Sequence, residues 1–119
     1  MKLATIHIAQ VVGGGICVAA SDGNKVHDAI LAAFKSGSRV ALSFQNVTRM
    51  TTAFLNAAVG QLYGEYTEAQ LRELLAPPIN AEPWQLSRLK LVVERAKVYF
   101  RDPKGAVAAF RNVTGVEDD

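Results

Sequence analysis

Few side chains here combine a reactive type with a useful spacing, and the histidines are the first to weigh. His7 and His27 stand far apart, with no HxxxH or HxxE neighbour, so a metal site would have to recruit scattered carboxylates. His7 reads as the polar member of an edge strand and His27 as a residue on a helix surface. Cys17 is the single cysteine, which excludes an internal disulfide and a thiolate cluster and suits a reducing compartment. It lies in an apolar stretch, where a buried and inert thiol is the default over a nucleophile. Gly13-Gly14-Gly15 invites comparison with a phosphate cradle. A dinucleotide loop, however, spaces its glycines between strand and helix, and a nucleotide loop places Lys-Ser/Thr after the last one. Ile16 and Cys17 follow instead, so a hairpin turn is expected, with a small nucleotide binder as the weaker alternative. Glu65, Glu68 and Glu73 read as solvated helix faces. No catalytic residue, metal ligand or cofactor follows from these residues, and a non-enzymatic module is expected.

The elements that would position any site follow from periodicity. Ala4, Ile6 and Ile8 alternate with Leu3, Thr5 and His7, the pattern of a half-buried strand. Ile16-Cys17-Val18-Ala19 reads as a second strand pairing back on the first. Ser21 or Asp22 can cap a helix carrying Val26, Ala29, Ile30, Ala33 and Phe34, which Gly37 ends. Residues 39–44 form a central strand. A turn at Gln45-Asn46 then leads to a helix from Thr51 or Thr52, with Leu55, Ala58, Val59, Leu62 and Tyr66 on its apolar arc. Ala53, Ala57, Gly60 and Gly64 make a second arc of small residues, where another backbone can come close. Whether that arc packs internally or against a partner stays open. Thr67-Glu68-Ala69-Gln70 is a capping box opening a short helix. Pro77-Pro78 stops it, and Ile79-Asn80 is a candidate brief strand. Pro83 suits the first turn of a long helix to about Arg101, with a further helix expected through Phe110. The order predicts an α/β fold, a small mixed sheet of about four strands covered by helices.

The stretch from Val40 to Tyr63 combines a strand, a short loop, a hydroxyl pair, Phe54 and a small-residue helix with Gly60. This resembles the STAS-like family of unknown function, itself similar to anti-sigma-factor antagonists and to the STAS domains of sulfate transporters. In the antagonists the loop ends in Asp-Ser-Ser-Gly, and the second Ser is phosphorylated by a partner kinase. By position, Thr51 and Thr52 fall on the Asp and first Ser, Ala53 on the phosphoacceptor and Phe54 on the Gly. The acceptor hydroxyl is therefore missing, and the phosphoswitch does not carry over intact, though Thr52 lies one residue away. The threonines either cap the helix, the preferred reading, or offer Thr52 for phosphorylation. The resemblance implies a regulatory module docking a histidine-kinase-like ATPase through Thr48, Arg49, Thr51, Thr52, Ala53, Ala57, Gly60 and Gly64.

The long helix suggests a second surface. Leu86, Leu89, Val92, Val93, Ala96, Tyr99 and Phe100 form its core side at helical spacing. Trp84, Leu91 and Val98 recur every seven residues on the other side, flanked by Arg88 and Arg95, a composition suited to a protein interface. The alternative is that the carboxyl-terminal segment folds back over them. Seven basic residues lie between Trp84 and Arg111, which keeps a nucleic-acid-binding module as the runner-up reading. Against it, no exposed aromatic platform interleaves them, and a net charge of +2 is mild.

At 119 residues the chain fits one domain, assigned to residues 1–113, with 114–119 expected to fray as an acidic tail. Half the residues are hydrophobic and 20% charged, which opposes disorder over most of the length. The mean hydropathy of +0.12 leaves room for a homo-oligomer. No apolar run approaches the roughly 20 residues of a membrane span. The amino terminus is unlike a signal peptide, so a cytoplasmic location is expected.

Overall fold

The computed structural model describes residues 1–101. The helix expected through Phe110 and the acidic tail lie outside them. Strand β1 (Lys2–His7) keeps the alternation of its sequence, with Ile6 buried and Leu3, Thr5 and His7 exposed. It pairs in parallel with β3 (Ser38–Ser43), in register from Lys2↔Ser38 to His7↔Ser43. Parallel neighbours need a crossover of a dozen or more residues, and helix α2 (Ala20–Lys35) provides it. Residues Val40 to Ser43 are buried, as expected of a strand covered on both faces. On the far flank of β3, Ala76 N–H donates to the Val40 carbonyl at 2.8 Å and Ile79 N–H to that of Leu42 at 3.0 Å. The brief strand expected at Ile79 is thus a single bridge, to Ser43.

The expected hairpin does not form. Ile8, Val11 and Val12 recur at helical spacing and turn inward on a short helix, α1 (Ile8–Val12). Gly13 ends it in the left-handed conformation, φ 95°, donating its N–H to the Ala9 carbonyl. Strand β2 (Ile16–Cys17) then pairs in parallel with β4 (Arg49–Met50) and not with β1. The described residues therefore hold two parallel two-stranded sheets in place of one mixed sheet, within the expected α/β class.

Helix α2 starts one residue before Ser21, from an Ala19 cap that supplies no side-chain bond. Asp22 instead lies in its first turn, where the helix dipole favours a carboxylate, 3.3 Å from Lys25. The helix expected from Thr51 or Thr52, with Tyr66 on its apolar arc, divides into α3 (Thr52–Ala58) and a 3₁₀ segment (Gly60–Gly64). Helix α4 (Glu68–Leu74) opens with both bonds of the Thr67–Gln70 capping box. Helix α5 (Pro83–Arg101) begins on its proline. The core lies where α2 and α3 meet the β1–β3 sheet, and Val26, Ile30, Val40, Phe54, Leu55 and Leu62 have no exposed surface there.

Candidate functional site

The loop between β3 and α3 is held at both ends and exposed between them. Val47 N–H closes a turn onto the Phe44 carbonyl at 3.0 Å, and Asn46 takes a left-handed conformation at φ 67°. Val47 is buried, while Gln45, Asn46, Thr48 and Arg49 are exposed. The carbonyl of Gly15 accepts from Thr48 N–H at 2.9 Å, Arg49 N–H at 3.2 Å and the Thr48 hydroxyl at 3.3 Å. A side chain at Gly15 would collide with the Asn46 carbonyl. The glycine triplet therefore serves a helix end at Gly13 and a close approach at Gly15.

Thr51 caps α3 as its sequence suggests. Its hydroxyl accepts from Phe54 N–H at 3.2 Å and donates to the Val18 carbonyl at 2.8 Å, so one oxygen serves both the cap and a tie to the preceding segment. Thr51 and Thr52 are only 5% and 3% exposed. Both hydroxyl side chains therefore lie inside the fold in this conformation, not on the exposed part of the loop. Part of the small-residue arc is also taken up inside the fold, where Ala57 and Gly60 are buried. Ala57 faces Gly23 of α2, whose Cβ position would lie 2.8 Å from its methyl. Gly60 lies under Val92 and Ala96 of α5, and Gly64 lies against the Phe100 ring. Ala53 is half-buried. Of the residues expected to dock a partner, Thr48, Arg49 and Gly64 are exposed.

The start of α5 is brought beside this loop by a residue the sequence reading passed over. Gln85, buried to 1% exposure, donates from Nε2 to the Val47 carbonyl at 2.9 Å and accepts the Glu82 N–H at 2.8 Å. A glutamine three residues beyond the helix's cap position was the available signal. Arg88 Nη1 donates to the Met50 carbonyl at 2.6 Å, with its guanidinium 5.7 Å from the Trp84 ring centre. Trp84, Leu91 and Val98 are exposed and Arg95 is half-buried. Leu86, expected on the core side, is exposed at 43% because Gln85 takes the inward position. The two candidate surfaces thus meet where Gln85 and Arg88 bond the backbone at Val47 and Met50, and exposed Ile16 pairs with Arg49 there.

His27 corrects another expectation. It is buried, with Nε2 3.1 Å from Glu65 Oε1, and joins α2 to the residue after the 3₁₀ segment. Burial, then the charge of Asp22, pushes the Cys17 thiol up to about 11, so it stays protonated near neutral pH. Among the described residues no group of three or more His, Cys, Asp or Glu could hold a metal ion, and no helix is long and apolar enough to cross a membrane.

A parallel β1–β3 pair joined through α2, followed by a capped strand–loop–helix, defines a STAS-like α/β module. The chain belongs to the family described as STAS-like domain of unknown function (DUF4325), whose model matches residues 22–82. No curated protein and no solved structure matches the chain. The matched span contains the loop and stops just before α5, so Trp84 and its neighbours lie outside it.

Proposed function

We propose that the chain is a non-enzymatic regulatory module that docks a protein partner through the loop after β3 and the adjoining start of α5. The observation that carries this reading is the loop's build: Thr48 and Arg49 face solvent while the Gly15 carbonyl, the Thr51 hydroxyl and Gln85 fix the backbone beneath them. A preordered surface loses less freedom on binding than a mobile loop. Trp84 and Arg88 add the residue types that concentrate binding energy at interfaces. The family resemblance supports a histidine-kinase-type ATPase as the partner, bound without the phosphoswitch, since Ala53 stands at the acceptor position.

Affinity capture from the source cell, followed by binding measurements with the purified partner, tests the reading. An ATPase of that type should be recovered, and Arg49→Glu or Trp84→Ala should weaken the measured binding tenfold or more, about 1.4 kcal/mol or above. Binding unchanged in both variants, with folding intact, would exclude this surface.

A further inference from the structure

We propose that the cleft between the start of β3, α4 and α5 binds an organic phosphate monoester. The cleft has a volume of about 400 Å³, within the range typical of small-molecule sites. Three cations line it from three different elements: Arg39 of β3, Arg72 of α4 and Lys97 of α5. One carboxylate, Glu68, also lines it, and both its oxygens are already held by Arg101 at 2.8 Å. Arg101 pulls that carboxyl below its usual pKa, so Glu68 stays ionised and paired. The cleft therefore keeps a surplus of positive charge.

Its geometry is set by the fold. Arg39 Nε donates to the Glu73 carbonyl at 2.8 Å, which fixes the guanidinium and leaves its terminal nitrogens for a ligand among the described residues. The bond from Ala76 N–H to the Val40 carbonyl also ties the chain after α4 to β3 at the cleft. Burial, then the charge of Glu68, raises the Tyr63 hydroxyl above its ordinary pKa, so it remains a donor at neutral pH. Leu71, Leu75 and Pro77 give an apolar floor. A phosphate monoester is close to a dianion at neutral pH and offers three acceptor oxygens, one for each cation, while its organic part rests on that floor. The site lies at the opposite end of β3 from the docking loop and does not depend on it.

The test is a titration of the ¹⁵N-labelled full chain, followed by NMR, with phenyl phosphate, inorganic phosphate and benzyl alcohol as probes. Phenyl phosphate should give saturable shifts centred on residues 39, 72, 76 and 97, with inorganic phosphate binding more weakly and benzyl alcohol giving no shift there. The double variant Arg72→Gln/Lys97→Gln should keep its amide dispersion and bind phenyl phosphate at least about tenfold more weakly, since hydrogen bonds to charged groups are worth roughly 1.5–3 kcal/mol. The proposal is overturned if no saturable shift occurs at these residues, if the double variant binds equally well, or if the shifts spread evenly to distant cations such as Lys25 and Arg49.

Discussion

Single residues carry more of this structure than their types advertise, and the glycines show it best. Gly14 has open space where a Cβ would sit, whereas Gly15 faces the Asn46 carbonyl and Gly23 the Phe54 carbonyl. Gly14→Ala should therefore stay within about 0.5 kcal/mol of the parent. Gly15→Ala and Gly23→Ala should each cost about 1–3 kcal/mol, because the obstructing atoms are backbone and cannot rotate away. Urea unfolding of the three variants measures the difference. Sequence alone marks the triplet as a break but cannot rank its members, since the obstacle to Gly15 comes from a loop 31 positions on. His27 is legible as a buried residue from its spacing. It precedes Ile30 by three residues and Phe34 by seven, which puts it on the buried arc of α2. Its polar type obscured that spacing.

At the scale of elements, the capping residues were readable and the short α1 was not. Thr51, Thr67 and Pro83 occupy the helix-start positions their chemistry favours. By contrast, Ile8 to Val12 suit a strand continuing from β1 as well as a single helical turn, and the choice is made by what Ile8 and Val11 pack against. Likewise, Val59 and Gly60 look helical in sequence, and the change of pitch there reflects contact with α5. The joint between α5 and the loop gives a prediction at this scale. Gln85→Leu removes one buried and one partly buried hydrogen bond and leaves the Val47 carbonyl without its Gln85 donor. The variant should lose about 1–3 kcal/mol of stability and show faster amide exchange at Thr48 and Arg49. Unfolding curves and hydrogen exchange check the two effects separately. Lost stability with unaltered exchange would mean that Gln85 does not steady the loop.

Taken whole, the described residues share one contiguous core. It centres on β1, β3, α2 and α3 and takes in Ile8 of α1, Cys17 of β2, Met50 of β4, Leu71 of α4 and Val92 of α5. The α/β class was readable because helical and strand periods alternate along the chain. The parallel connectivity was not, because a strand's sequence does not say which neighbour it pairs with. The shared core predicts a single unfolding transition. Trp84 is the one tryptophan and stands at the start of α5, so its fluorescence follows that helix, while far-UV circular dichroism follows all the helices. The two urea transitions should coincide. A fluorescence transition at lower urea would show α5 leaving before the rest.

The Gly15 carbonyl has a mechanical corollary. One oxygen receives three donors from residues 33 and 34 positions ahead, with no rotatable side chain on the accepting side. Displacement of the backbone at Gly15 would accordingly reach Thr48 and Arg49, with little slack to absorb it. The presenting loop behaves as a bracket bolted at Gly15, and labels that shift the backbone there will tilt it.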